Sequence, residues 1–230
     1  LHVCGLPYAL EGVMPLETLR HDIGAGRMGV KIVHARAIGI DAQNRKLIVA
    51  GNEELPYDSL IVAVGASPIV PDILGMKELM GKKVFTLYGY NDTGALEKAC
   101  AGAKKAVSIG AGAIGLEAAI ALRRRGMDVT IIEAEQHVLC RAIDDDMAAI
   151  VENYFRGMGI EIALGEKAQR VTEKGVVAGG KDFDCDIVVV SAGISPNTSL
   201  AQSAGAQKGP RGLKVNEYLQ TNLPHVFAVG

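Results

Sequence analysis

The chain has 230 residues, with 24 lysines and arginines against 26 aspartates and glutamates, a formal net charge of −2 and 49% hydrophobic residues. That length holds one large domain or two small ones, and the apolar content with a mean hydropathy of +0.21 excludes a disordered chain. The near-neutral charge leaves no basic footprint for nucleic acid or for an anionic membrane surface.

The longest uncharged stretch, residues 187–207, contains Pro196, Asn197 and several Ser and Gln residues, so it does not read as a membrane span. No signal peptide is visible, and the cysteines Cys4, Cys100, Cys140 and Cys185 show neither C-x-x-C nor zinc-type spacing. The expectation is a reducing, cytoplasmic protein with no disulfide framework and no metal site. The chain opens on Leu1 and stops at Gly230 directly after an apolar run, which reads as a piece of a longer protein.

In chain order, Cys4-Gly5-Leu6-Pro7-Tyr8 precedes a short helix expected from Pro7. Residues 32–41 and 46–50 read as strands with a turn at Gly51-Asn52-Glu53, and residues 60–64 as an apolar strand ending in Gly65. Pro68, Pro71 and Gly75 mark a junction at residues 72–80. Tyr88 and Tyr90 read as packing residues ahead of a helix starting near Asp92. The strand Ala106-Val107-Ser108-Ile109 opens into Gly110-Ala111-Gly112-Ala113-Ile114-Gly115 and an Ala- and Leu-rich helix over residues 116–125. Arg123, Arg124 and Arg125 then form a solvated helix end closed by Gly126. A strand over residues 128–133, a helix capped by Asp144, a strand over 160–164, hairpins within 167–183 and a buried strand over 186–190 complete a parallel α/β pattern.

The glycine loop follows a strand and opens a helix, and Glu133 stands 18 residues after Gly115, close to the spacing of about 20 of a dinucleotide site. In that reading Gly110 permits the turn, Gly112 admits the pyrophosphate and Gly115 lets helix and strand pack closely. The Glu133 carboxylate accepts from ribose hydroxyls and repels a 2′-phosphate, which favours NADH over NADPH. No arginine follows Glu133 until Arg141.

With these motifs in place, the whole chain resembles the pyridine nucleotide–disulfide oxidoreductases, flavoproteins that bind FAD and NAD(P). The resemblance rests on the strand Leu60-Ile61-Val62-Ala63-Val64-Gly65, on G-x-G-x-I-G-x-E at residues 110–117, on Gly193-Ile194-Ser195-Pro196-Asn197, and on residues 221–230. Val64 stands where the family commonly has Thr, and the Asp that follows the last strand in the family lies beyond Gly230. Cys4-Gly5-Leu6-Pro7-Tyr8 is similar to the single-cysteine branch: coenzyme A-disulfide reductases, persulfide reductases and NADH oxidases. Ala9 occupies the place of the second cysteine of the two-cysteine branch.

The resemblance implies a Rossmann-like FAD/NAD(P)-binding fold, with a NAD domain inserted in an incomplete FAD domain. Residues 1–78 are the flavin-domain fragment, 79–196 the NAD(H) domain with its parallel sheet and β-hairpin crossover, and 197–230 the return segment. It further implies Cys4 as the redox cysteine, with the thiolate favoured by the short helix that follows. Glu117 stands near the nicotinamide, Ala63 and Gly65 near FAD, and Gly193 near NAD. Lys31 with His34 matches a basic position near the substrate in some relatives. The electron acceptor is a small disulfide, persulfide or oxygen species, and the parent protein is a homodimer. The alternatives are a NADH-binding module with no flavin or activity of its own, and a reductase of rubredoxin, ferredoxin or a nitrite-reducing centre.

Overall fold

The computed structural model describes residues 3–20 and 25–230. In chain order the elements are α1 (Leu6–Glu11), β1 (Ala37–Asp41), β2 (Lys46–Val49), β3 (Glu53–Pro56), β4 (Leu60–Val62), β5 (Ala66–Pro68), β6 (Val84–Thr86) and α2 (Tyr90–Ala99). There follow β7 (Lys105–Ile109), α3 (Ala113–Arg124), β8 (Asp128–Ile132), α4 (Asp145–Gly157), β9 (Ile160–Ala163), β10 (Ala168–Val171), β11 (Gly175–Ala178), β12 (Lys181–Asp184) and β13 (Ile187–Val190). The chain ends with β14 (Ile194–Pro196), α5 (Ser199–Ser203), β15 (Lys208–Gly209), β16 (Gly212–Leu213) and β17 (Val226–Ala228).

Two compact units divide the chain, one of residues 3–20 with Pro68–Gly193, the other of residues 25–67 with Ile194–Gly230. The first is built on a five-stranded parallel sheet in the order β6-β13-β7-β8-β9. Parallel strands joined by crossovers bury both faces, which explains the unbroken apolar run of β13 and the burial of residues 106–109 of β7. Alternate side chains serve opposite faces. Ala106, Val129, Ile131 and Val189 join the core under the helices, whereas Val107, Ile109, Ile132, Val188 and Val190 join a core under the antiparallel β10-β11-β12 hairpins.

The N-terminal segment belongs to this unit because Leu6, Ala9 and Leu10 of α1 are buried in the core that holds Leu116, Ala119 and Leu122 of α3. The three arginines at the end of α3 are therefore not a solvated helix end. Arg123 Nε donates to Met158 O at 3.0 Å, Arg124 pairs with Glu11 at 2.8 Å, and Arg125 donates to Leu10 O and reaches Glu97 at 3.3 Å. They tie α3 to the start of β9, to α1 and to α2. Gly126 closes the helix as expected, with φ +86 and its N–H on Arg123 O at 2.9 Å. Asp144 is the residue before α4 but makes no side-chain capping bond.

In the second unit, β1, β2 and β3 form an antiparallel meander, and β17 pairs in parallel with β4. Its core is small: Ile40, Val62, Ala201, Ala206 and Val226. The strand expected over residues 32–41 begins only at Ala37, because β2 ends at Val49 and Gly51-Asn52 turn away. Beyond the bond from Ala50 N–H to Arg36 O at 2.7 Å, no strand among the described residues pairs with this stretch. Lys31 and His34 are exposed ahead of it. The strand expected over residues 60–64 stops at Val62 for the same reason, its partner β17 being three residues long. Ile61 is left exposed on that two-stranded sheet.

Candidate functional site: a glycine-lined cleft

β7 ends at Ile109, and three residues carry the chain into α3. Gly110 has φ +105, and a Cβ there would stand 2.6 Å from Ser191 O, so both conformation and space demand glycine. On the first turn of α3 a Cβ on Gly115 would overlap Gly110 O and Ser191 Oγ. The helix therefore lies directly against the strand ends. Gly112 is different: its φ is −74 and nothing lies within 4 Å of its Cβ position. The protein's own packing does not need glycine there; what glycine provides is open space beside the helix start. The first N–H groups of α3 have no carbonyl four residues behind them and face that space at the positive end of the helix dipole.

Side chains fix the loop from three directions. Ser108 Oγ donates to Gly115 O at 3.2 Å, and Ser191 Oγ lies 3.1 Å from Ile109 O and 3.0 Å from Gly110 O. Glu133, just past the end of β8, accepts the Ala111 N–H on Oε2 at 2.6 Å and the Glu135 N–H on Oε1 at 2.9 Å. Its carboxylate is thus oriented before any ligand arrives. The Ala111 carbonyl accepts the Leu139 N–H at 3.0 Å.

Around the loop lies a cleft of about 620 Å³, at the carboxyl ends of parallel strands, where open α/β sheets bind their ligands. Of the residues singled out from sequence, Gly110, Gly112, Ala113, Glu133 and Gly193 line it together. Gly115 acts from behind, through packing. Ile114 and Glu117 are exposed on α3 and do not line the cleft. Ala63 and Gly65 belong to the second unit, where Gly65 lines a separate cleft of about 440 Å³ beside Val62 and Ala228, at the ends of β4 and β17. Cys4 is exposed in the turn Val3–Gly5 that leads into α1.

Sequence reading missed Ser191, Leu139 and Lys167, and set Arg141 aside as distant from Glu133. All four line the cleft, so Arg141 shares it with Glu133 although it stands eight positions further along the chain. Cys140 also lines it, half-buried, whereas Cys100 and Cys185 are buried. Among the described residues no cluster of His, Cys, Asp and Glu could hold a metal ion, and no helix is long and apolar enough to cross a membrane.

Comparison with known proteins gives the family. A NADH oxidase of Methanocaldococcus jannaschii is 37% identical over 99% of this chain and 53% of its own length. The CoA-dependent NAD(P)H sulfur oxidoreductase of Pyrococcus furiosus is 34% identical, over 99% of this chain and 53% of its own. Among solved structures, a NAD-dependent persulfide reductase from A. fulgidus superposes on the whole chain with a TM-score of 0.93 at 32% identity, with 46% of that chain covered. The chain spans about half the length of the curated relatives it matches. A profile of the pyridine nucleotide-disulphide oxidoreductase family covers residues 3–230, and the chain belongs to that family.

Proposed function

We propose that the first unit is the NADH-binding unit of an FAD-dependent oxidoreductase, and that residues 25–67 and 194–230 are part of its flavin-binding unit. The observation that carries this reading is the single cleft that gathers Gly112, the start of α3, Glu133 and Gly193. A dinucleotide pyrophosphate fits the open space at Gly112, where free N–H groups and the helix dipole favour a double anion. The Glu133 carboxylate, held by two backbone N–H groups, presents acceptors to a ribose and disfavours a 2′-phosphate, which selects NADH. Gly193, with φ +103, brings backbone to the cleft wall without a side chain, as close passage of the nicotinamide half requires. Glu117, on the exposed side of α3, is assigned to the approach of the nicotinamide on the resemblance alone.

FAD fits the second unit on the same grounds. Gly65 has φ +65 and nothing within 4 Å of its Cβ position, and it opens onto the cleft at the ends of two parallel strands. When bound, the flavin supplies hydride acceptance from the nicotinamide and onward electron transfer. Ala63 and Gly65 provide backbone beside it.

Cys4 is the residue assigned to the acceptor. Its exposed thiolate attacks a sulfur of a small disulfide or persulfide, forming a new S–S bond as the other sulfur leaves with the electron pair. An oxygen species is the other acceptor of this branch. The parent is a cytoplasmic homodimer in this reading.

Titration of the purified chain with NADH and NADPH, followed by FAD reconstitution and NADH bleaching of the flavin band, tests the cofactor assignment. Failure to bind either nicotinamide nucleotide overturns it. In the full-length parent, Cys4→Ser abolishes NADH-dependent disulfide or persulfide reduction; undiminished turnover points instead to a reductase of a protein acceptor.

A further inference from the structure

Residues 134–144 cross from β8 to α4 as a strap, and Leu139, Cys140, Arg141 and Ala142 of this strap form one wall of the dinucleotide cleft. Three consecutive residues of the strap are each fastened. His137 Nε2 lies 3.1 Å from Asp145 Oδ1, the Val138 N–H donates to Glu152 Oε1 at 3.3 Å, and the Leu139 N–H donates to Ala111 O at 3.0 Å. The first two fasteners stand seven residues apart on α4, and the third is the carbonyl of the glycine loop itself.

Two of these residues carry a local cost that the strap accounts for. Glu152 is a carboxylate on the buried face of α4, between Ala148 and Phe155, and its desolvation is offset by the bond it accepts from the Val138 N–H. Its remaining oxygen is met by Arg156 at 3.2 Å, so both acceptors are in use. Leu139 has φ +54, a left-handed conformation that a bulky side chain adopts only when its surroundings impose it. Val138 beside it is fully buried and anchors the strap in the core. The conformation at Leu139 aims its N–H at the Ala111 carbonyl, while Glu133 holds the Ala111 N–H from the other side. The peptide groups on both sides of Ala111 are therefore fixed, one by β8 and one by α4 acting through the strap.

We propose that Glu152, assisted by Asp145, is a positioning residue for the dinucleotide: it holds the strap that holds Ala111, and thereby sets the affinity of the glycine loop. This inference rests on the reading of the cleft as the NADH site.

The test measures NADH binding by fluorescence titration, together with backbone amide exchange of the chain without nucleotide. Glu152→Leu removes the acceptor while keeping volume, and should weaken NADH binding about tenfold, the worth of one hydrogen bond to a charged group. It should also speed exchange of the Val138 and Leu139 amides. Glu152→Gln keeps an oxygen for the Val138 N–H and should remain within about threefold of the parent chain. Phe155→Leu, a buried change on the same helix, should lower the melting temperature without moving NADH affinity. Asp145→Ala, at an exposed position that tolerates substitution, should accelerate Leu139 exchange even if Glu152→Leu does not fold.

Unchanged NADH affinity and Leu139 exchange in Glu152→Leu overturn the proposal, as does an equal loss of affinity in Phe155→Leu. If Glu152→Leu does not fold, unchanged Leu139 exchange in Asp145→Ala overturns it. Absence of NADH binding by the parent chain overturns the reading of the cleft instead, and is seen before any variant is made.

Discussion

Gly112→Ala separates what the fold needs from what the ligand needs. The new methyl group meets nothing within 4 Å, and φ −74 with ψ 176 is open to alanine. Alanine is a poorer helix N-cap than glycine by about 0.5–1 kcal/mol. Replacing glycine at a compatible position returns about 0.4–1 kcal/mol through the unfolded chain. The two nearly cancel, so the melting temperature should move by no more than about 2 °C. A pyrophosphate seated on the first N–H groups of α3 would be pushed outward by the methyl group and lose at least one hydrogen bond to a charged group, about 1.5–3 kcal/mol. NADH affinity should therefore fall roughly 10- to 100-fold. Gly115→Ala is the contrasting perturbation. Its methyl group would overlap Gly110 O and Ser191 Oγ, and the strain of about 1–3 kcal/mol or more appears as lost stability. The assay is a thermal melt and a NADH titration on each variant. Gly112→Ala with parental NADH affinity would refute the path of the pyrophosphate past this residue, and Gly112→Ala with a melting point as low as that of Gly115→Ala would refute the reasoning from open space.

Glu133→Gln should weaken NADH about tenfold and narrow the preference over NADPH, since the repulsive charge is removed while Arg141 and Lys167 remain in the cleft; parallel titrations with both nucleotides check this, and an unchanged ratio speaks against Glu133 as the selector. Lys83 is buried and donates to Glu173 O at 3.0 Å and to Cys185 O, so Lys83→Met strands two carbonyls and should cost about 2–4 kcal/mol in urea unfolding; a loss under about 0.5 kcal/mol would count against it. Burial pushes the Cys185 thiol up to about 11. The folded state then holds its proton where the unfolded chain has released it, so the contribution is complete below about pH 9 and is lost as pH rises through about 11, some 3 kcal/mol in all. Subtracting the urea stability of Cys185→Ala from that of the parent between pH 8 and 11 isolates this slope, and a flat difference contradicts it.

The parts legible in the sequence were those written locally. The run Ala106 to Ile109, the glycine spacing and Glu133 predict strand, turn, helix and acidic residue without reference to anything distant. Strand ends were overextended at residues 32–36 and 63–64 because apolar residues satisfy a strand pattern whether or not a partner strand reaches them. β6 went unseen, being three residues long and paired with β13 from the far end of its unit. The arginines after α3 look solvated when only their own helix is considered; their partners Glu11, Leu10 and Met158 are remote in sequence. The strap was invisible for the same reason, although a glutamate on the buried face of an otherwise regular amphipathic helix was a signal. Ser191 could have been noticed as a hydroxyl directly after a buried strand and two residues before Gly193.

The pairing of β4 with β17 joins residues far apart in the chain, with Pro68–Gly193 of the first unit between them in sequence. Closing so long a loop from an unfolded chain is entropically expensive relative to the three residue pairs gained. Once the first unit has folded, the Ile69 N–H sits on Gly193 O at 2.9 Å, so its entry and exit are already together and the loop is closed in advance. The second unit is therefore expected to assemble after the first. During synthesis it cannot be completed until Val226–Ala228 has emerged, while every residue lining the glycine-loop cleft has been made by Gly193. Pulse-labelling should find β7, β8 and β13 protected before β4.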